Sequence, residues 1–275
     1  MTKKVNQTII YLLLLLLSTI CLLPFIMMLV NSTREGTDIM KSFTLIPSDY
    51  LMKNWAVVKA NLNIPRGFAN SIFISVLSTV LAAYFSSLTA FGFAFYRFKG
   101  RKVIFTIIIV SMMIPAQLGL LGFYDLSTKL GLIDSFIPLI VPSVASPATV
   151  FFLRQYLLSV MPKSLLEAPR IDGANEFYIF HKIGLPIMSP GIATMAIGIF
   201  IGSWNSYLLP LVILNSQRKF TLPVMIASLN SVRDIATNIG ATYVAVAISV
   251  VPIIIVFCFC SKYIISSISS GSVKE

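Results

Sequence analysis

A polar loop at 154–190 lies between strongly apolar segments of the chain, and six charged or titratable residues lie close together at its centre. The segments on either side of this polar loop are nearly free of charge. Charged side chains are costly inside hydrocarbon, so the polar loop must lie at or outside a membrane surface. We therefore expect the neighbouring apolar segments to cross the membrane. The charged and titratable residues at the centre of the loop are Glu167, Arg170, Asp172, Glu176, His181 and Lys182.

The composition agrees with a membrane protein. Of the 275 residues, 57% are hydrophobic and only 11% are charged, whereas about 25% of the residues in a typical soluble domain are charged. The formal net charge of +11 could suggest a nucleic-acid partner. The basic residues are scattered between apolar runs, however, so they are better interpreted as anchors that flank membrane spans.

Apolar runs long enough to cross a bilayer, which requires about 20 residues, predict an all-α integral membrane protein of a single domain. The first run is longer than the core of a signal peptide, and no A-x-A-like cleavage site follows it. We therefore expect a first span with its N-terminus inside the cell. The six predicted spans are 9–30, 67–96, 103–124, 135–153, 191–214 and 239–263, with the polar loop at 154–190 and an inside tail at 264–275.

Proline positions predict irregularities in two of these spans. Pro115 lies in the middle of the third span and is expected to kink it. The fourth span contains three prolines, which fits either a bent helix that lines a cavity or a short helix with extended ends. Residues 31–66 are expected to be external and irregular, and 215–238 an external loop with room for a short helix.

The polar loop itself has the pattern of a helix, a turn and a second helix. Ser164 can open the first helix as a cap, and Gly173 can end it because glycine adopts positive φ at little cost. A second helix is predicted over 174–183, with Phe177 and Phe180 on one face. The prolines that follow it are expected to redirect the chain into the fifth span.

The loop resembles the EAA loop of the membrane subunits of bacterial ABC importers, whose pattern is roughly E-A-A-x-x-D-G-A followed by F-x-x-I-x-L-P-x-x-x-P. The positions that match in type and spacing are Glu167, Ala168, Asp172, Gly173, Ala174, Phe180, Ile183, Leu185, Pro186 and Pro190. Pro169 departs from the pattern by replacing the second alanine. It should stiffen the first turn, which leaves the contact made by Glu167 open.

In that family the loop is the coupling segment, which docks in a cleft of a separate ATPase subunit and transmits its closing motion. The resemblance implies that Glu167 and Asp172 offer charge to the cleft, Ala168 a close contact and Gly173 the turn. The coupling residues implied in this way are Glu167, Ala168, Asp172, Gly173, Ala174, Leu185 and Pro186.

Further features resemble the smaller permease of maltose-type importers, within the carbohydrate-uptake branch. They are the turn at 96–101, the Trp204–Asn205 pair and the ending at 271–274. The resemblance implies a second homologous permease, two cytoplasmic ATPase subunits and an extracellular solute-binding protein. It also implies a multi-pass protein of the bacterial cytoplasmic membrane with both termini inside. The main alternative within the class is an importer of a non-sugar solute.

No enzymatic site is predicted in this chain. It lacks the G-x-x-x-x-G-K-[ST] motif, so ATP and Mg²⁺ are expected at the partner ATPase, and no cofactor is expected here. Its three cysteines lie in apolar runs without the spacing of metal ligands. An ion-coupled carrier is the more distant alternative, since such carriers usually need ionisable groups within the membrane and the predicted span cores contain essentially none.

A sugar path requires uncharged polar side chains beside aromatic rings in a wet cavity. Both types occur in the predicted fifth span, which places the Trp204–Asn205 pair in mid-span. The Trp204–Asn205 pair fits two roles, packing between helices and contact with a sugar. Its polar atoms need hydrogen-bond partners in either role, so the sequence does not distinguish them. The candidates for the path are Gln117, Trp204, Asn205, Ser206 and Tyr207.

Overall fold

The computed structural model describes the backbone of residues 2–229 and 235–272, and the side chains of 7–115, 117–229 and 239–259. Every described element is helical, which confirms the all-α prediction. The α-helices are α1 (Thr2–Ser32), α2 (Gly36–Lys41), α3 (Leu51–Asn61), α4 (Ile64–Phe95), α5 (Arg101–Ser111), α6 (Leu120–Lys129), α7 (Ile137–Ile140), α8 (Pro147–Val160), α9 (Ser164–Ile171), α10 (Glu176–Ile179), α11 (Leu185–Trp204), α12 (Leu208–Ile213), α13 (Leu222–Ser228) and α14 (Ile235–Ser272). Short 3₁₀ turns lie at Ala116–Gly119, Val141–Val144 and Gln217–Lys219, and a π turn at Phe180–Gly184.

Five helical segments in the described part of the chain are long and apolar enough to cross a membrane. They are Gln7–Ser32, Ile64–Phe95, Ile137–Val160, Glu176–Trp204 and Ile239–Phe259. A multi-pass membrane protein is thereby confirmed, whereas the count of six spans stays a prediction.

The predicted third span, 103–124, is not one continuous helix. Helix α5 ends at Ser111, and the chain becomes helical again only at Ala116. Pro115 lies in the gap with extended backbone angles. Proline has no N–H group to donate, and its ring collides with the preceding turn of a helix, so the break replaces the expected kink.

The predicted fourth span is divided in a similar way, and its second part is longer than expected. The chain forms a short helix α7, a 3₁₀ turn and then α8, which begins at Pro147 in the first turn. Helix α8 runs on to Val160, so the beginning of the predicted polar loop, from 154, is still helical.

The prediction that Pro186 and Pro190 redirect the chain was wrong. The helical segment Glu176–Trp204 continues through both prolines and ends ten residues before the predicted limit of 214. Prolines are tolerated in such helices where local π turns adjust the hydrogen bonding, and the π turn at Phe180–Gly184 directly precedes α11. Trp204 consequently stands at the helix end rather than in the middle of a span.

The described residues divide into two compact units, of which the first comprises 1–65 and 222–252. The stretch 31–66, expected to be irregular, contains α2 and α3 instead. Buried Arg34 donates to the carbonyls of Asp38 and Ser42 at 2.8 and 2.9 Å, and buried Asn54 donates to the carbonyl of Arg34 at 2.9 Å. These bonds satisfy buried polar groups and tie α2 and α3 to the end of α1.

The second unit comprises 66–221 and 253–275 and contains the polar loop. Its apolar core is formed by side chains from α4, α8, α9, α10, the π turn and α11. Gly184 lies so close to Phe91 that a Cβ atom there would be 2.7 Å from the ring. The fully buried members of this core cluster are Ala90, Phe91, Ala94, Leu153, Leu157, Met161, Leu166, Ile179, Phe180 and Met188.

Candidate functional site

The polar loop forms two short helices, α9 and α10, that meet at a glycine turn. Gly173 has a φ of 82°, as its predicted place after the first helix requires. The Asn175 side chain accepts a hydrogen bond from the amide of Tyr178 at 2.7 Å and so caps α10. The turn is therefore built by one residue that tolerates positive φ and one that caps the next helix.

Buried side chains hold the two short helices against the core of the second unit. Leu166 of α9, Ile179 of α10 and Phe180 of the π turn are each at most 1% exposed. Phe180 packs its ring against Tyr84 and Phe91, with centroids 6.3 and 5.4 Å apart. The loop is thus part of the packed fold and not a loose connection.

Phe177 and Phe180, predicted on one face of the second helix, differ strongly in burial. Phe177 is 65% exposed, whereas Phe180 is 1% exposed. Residues three apart on a helix are offset by about 60°, and the edge of the buried face falls between these two. Phe177 instead contacts the ring of His181, whose Nδ1 lies 2.8 Å from the Phe177 carbonyl oxygen. The other His181 nitrogen lies 3.2 Å from the hydroxyl of Tyr84.

The outer surface of the loop carries most of the predicted coupling residues. Glu167, Ala168, Asp172, Gly173 and Pro186 are exposed, while Ala174 and Leu185 are half-buried. Large apolar side chains, which usually mark an interaction surface when they cluster outside the core, lie on the same two helices. They are Leu165, Ile171, Phe177 and Tyr178.

Three side chains that sequence reasoning did not group together tie this surface to the end of α4. The Glu176 carboxylate accepts from Arg170 Nε at 2.8 Å and Nη2 at 3.2 Å, and also from the Tyr96 hydroxyl. The hydrogen bond to Glu176 raises the pKa of Arg170, which therefore stays charged. The ion pair between Arg170 and Glu176 could have been predicted, because the two residues have opposite charges and lie six positions apart across a predicted turn. The local sequence contains no signal that Tyr96 joins them.

We expect reversal of the charge at position 176 to loosen the loop. In Glu176→Lys the new ammonium faces Arg170, and the loop loses its link to Tyr96. Exposed ion pairs contribute only up to about 1 kcal/mol, so hydrogen exchange in peptides covering 164–182 should rise roughly two- to fivefold. The swap Arg170→Glu with Glu176→Arg should restore protection. Glu167→Lys, which changes the charge outside this network, should leave exchange unchanged; equal exchange in both single variants would contradict the role of the network.

A second feature of this unit is a cavity of about 650 Å³ between the beginning of α6, the link from α11 to α12, and the beginning of α12. It brings together Gln117, Asn205, Ser206 and Tyr207, which were predicted as path residues from distant parts of the sequence. Trp204 is not among its lining residues. That side chain is 1% exposed and packs on Phe68 and Phe200, with ring centroids 5.6 and 6.0 Å away.

Asp134 binds the segment that follows α12. Its carboxylate accepts from the Ser216 hydroxyl at 2.6 Å, the Ser216 amide at 2.9 Å and the Lys219 ammonium at 3.0 Å. These donors, Ser216 first, hold the pKa of Asp134 far below its usual range. Because that folded-state pKa is depressed, the contacts of Asp134 with Ser216 and Lys219 are fully formed at and above neutral pH. They are lost only as the pH falls through the depressed pKa.

A multi-pass helical membrane protein with a partly polar cavity and an exposed loop fixed to its core has the organisation of a transport subunit. The chain belongs to the family described as the binding-protein-dependent transport system inner membrane component, whose profile matches residues 82–270. This confirms the expected membership among the membrane subunits of ABC importers.

Individual relatives cover almost the whole chain. It is 37% identical over 259 residues to the arabinooligosaccharides transport system permease protein AraQ of Halalkalibacterium halodurans, covering 93% of this chain and 92% of the relative. Its identity to AraQ of Bacillus subtilis is 35%, with 94% and 93% covered. It is 30% identical to the diacetylchitobiose uptake system permease protein NgcG of Streptomyces coelicolor, with 95% and 87% covered.

A solved structure with the same fold is that of a bacterial ABC transporter involved in the import of the acidic polysaccharide alginate. The TM-score is 0.80, and the match covers 95% of this chain and 97% of that one. At 24% sequence identity this likeness defines the fold alone.

Proposed function

We propose that this permease subunit moves a neutral sugar or oligosaccharide across the bacterial cytoplasmic membrane. The cavity of about 650 Å³ carries the proposal, since its lining combines Gln117, Asn205, Ser206 and Tyr207 with Phe123. Uncharged polar groups suit sugar hydroxyls, and aromatic rings suit the apolar faces of sugar rings. Relatives named for arabinooligosaccharides and diacetylchitobiose support the same class of solute.

A charged solute is the other candidate. One relative at 27% identity is named as a permease for sn-glycerol-3-phosphate. A phosphate group would call for arginine, lysine or a helix N-terminus in its site. The residues that line the described cavity carry no positive charge, which favours the neutral solute.

The exposed surface of α9 and α10 is the proposed contact with the ATPase. Glu167 and Asp172 would offer charge to its cleft, Ala168 would allow close approach, and Leu185 and Pro186 would complete the contact. ATP and Mg²⁺ would bind the ATPase, with none bound by this chain. The Tyr96–Arg170–Glu176 network supports this proposal, because it links the loop surface to a helix that enters the membrane.

The proposed assembly contains this chain, a second homologous permease, two ATPase subunits and an extracellular solute-binding protein. A cytoplasmic ATPase requires the loop to face the cytoplasm, which places both termini inside under the six-span topology. The ending at 271–274, which resembles that of the smaller permease of maltose-type importers, falls partly outside the described residues.

Purification of the tagged chain from its native membrane in mild detergent, followed by mass spectrometry, tests the proposal. We expect a second permease and an ATPase with a P-loop to come with it. In Ala168→Arg a long charged side chain enters the predicted contact, so the second permease should remain and the ATPase should be lost. A chain that purifies alone or as a homo-oligomer, even after cross-linking, would refute the assembly.

A further inference from the structure

A second cavity, of about 290 Å³, adjoins the first one in the same unit. Ser206 and Leu209 line both cavities, so the two spaces meet at the beginning of α12. The volume lies just below the usual range for ligand pockets, roughly 300–1,000 Å³, and far exceeds the roughly 30 Å³ taken up by one water molecule. It can therefore hold a group of about the size of one sugar ring.

Hydroxyl groups dominate the polar part of its lining. The side chains come from α4, the 3₁₀ turn after α7, the end of α11 and the chain after α12. The lining residues carry no charge, and the hydroxyl-bearing ones are Ser71, Ser78, Ser143, Ser203, Ser206 and Thr221. A hydroxyl both donates and accepts hydrogen bonds, so such a wall can pair with the hydroxyls of a neutral sugar in many orientations.

Thr221 shows that not every hydroxyl of this wall has a hydrogen-bond partner among the described residues. The residue is 4% exposed, and its hydroxyl has no hydrogen-bond partner among the described residues. A buried hydroxyl without a partner is costly, and native structures usually supply one. Thr221 lines the cavity, so a sugar bound there would lie beside this hydroxyl.

We infer that the smaller cavity is a subsite for a second sugar unit, and that the transported solute contains at least two units. The first unit occupies the larger cavity beside Asn205 and Tyr207, and the chain continues past Ser206 into the smaller one. This inference rests on the proposed function, because it extends the sugar site described above.

Two glycines of α11 provide a matched pair of variants. Gly202 lines the smaller cavity, whereas Gly198, one turn earlier, lines neither cavity. A Cβ atom would meet nothing within 4 Å among the described residues at either position. The side chain of Gly202→Leu therefore begins in open space at the cavity wall, and Gly198→Leu makes the same change of residue elsewhere. Thr221→Val removes the hydroxyl. Its control is Ser86→Ala, since the Ser86 hydroxyl is also buried without a partner among the described residues and Ser86 lines neither cavity.

The complete importer, with its ATPase, second permease and binding protein, is reconstituted in proteoliposomes. Uptake is measured for arabinose, arabinobiose and arabinotriose and for glucose, maltose and maltotriose. For two- and three-unit sugars, we expect Gly202→Leu to lower the initial rate about tenfold. Thr221→Val should lower it about two- to tenfold. Both controls should match the wild type, and any one-unit sugar that is imported should change less than twofold.

No loss in Gly202→Leu, or an equal loss at every sugar length, would overturn the subsite and leave a cavity that holds only water. A wild-type importer that takes up only one-unit sugars would overturn it as well. If the wild type imports none of the six sugars although the complex is assembled, the proposed sugar function fails first, so the two failures are distinguishable.

Discussion

Gly173→Val is expected to leave the protein inserted in the membrane while uncoupling ATP hydrolysis from sugar. Gly173 has a φ of 82°, and a Cβ atom there would meet nothing within 4 Å among the described residues. The change therefore acts through the backbone alone. A β-branched residue held in a left-handed conformation costs about 1–3 kcal/mol, which is enough to shift the turn and displace the exposed surface of α9 from that of α10.

The measurement is sugar-stimulated ATPase activity of the purified complex, together with the amount of ATPase that stays bound. Gly173→Asn should retain most of the activity, since asparagine tolerates positive φ better than other residues. Gly198→Val serves as the control in α11, where no positive φ is required and an added Cβ meets nothing within 4 Å among the described residues. Normal sugar-dependent hydrolysis in Gly173→Val would contradict the coupling role of the turn.

The features that could be predicted from the sequence are those that depend on local composition. Apolar runs indicate membrane helices at five of the six predicted spans, and a glycine after a short amphipathic helix indicates a turn with positive φ, which Gly173 adopts. The effects of Pro186 and Pro190 could not be predicted in this way, because the π turn before them and the core behind them decide whether the helix continues.

The candidate site residues also fall into two groups, those that could be predicted from their chemistry and those whose role depends on the tertiary fold. Gln117, Asn205 and Tyr207 could be selected by chemistry, since uncharged polar and aromatic residues suit sugars, and the fold brings all three to one cavity. Trp204 has the same chemistry but points into packing with Phe68 and Phe200. Tyr96 and Glu176 are 80 residues apart, so their contact depends on the tertiary fold.

The core between α4 and the loop suggests how a movement of the loop would reach the membrane. Phe91 of α4 is 1% exposed and contacts Phe95, Tyr96 and Phe180, with ring centroids 5.1, 6.0 and 5.4 Å away. Interiors are packed closely enough that a displaced element moves its neighbours. A shift of the loop should therefore be passed to α4 through this ring cluster as well as through Tyr96.

Gly184→Ala is expected to disturb this contact more than any other single added methyl group near the loop. The new Cβ would lie 2.7 Å from Phe91 Cε2 and 3.0 Å from Cδ2. The ring cannot move aside easily because it is enclosed by the other aromatic rings. Overpacking of this kind costs about 1–3 kcal/mol, so the complex should lose thermal stability in detergent and sugar-stimulated ATPase activity should fall.

The companion change Phe91→Leu tests whether the contact itself is responsible. Alone, Phe91→Leu should destabilise the protein because it leaves a cavity. Combined with Gly184→Ala, it should lower the stability by less than the sum of the two single losses, because the leucine leaves room for the methyl group. Gly198→Ala is the matched control, since its methyl group meets nothing within 4 Å in the described structure and alanine favours a helix. Strict additivity of Gly184→Ala and Phe91→Leu would show that the loop and α4 are not coupled through this ring, and would leave the Tyr96–Arg170–Glu176 network as the connection between them.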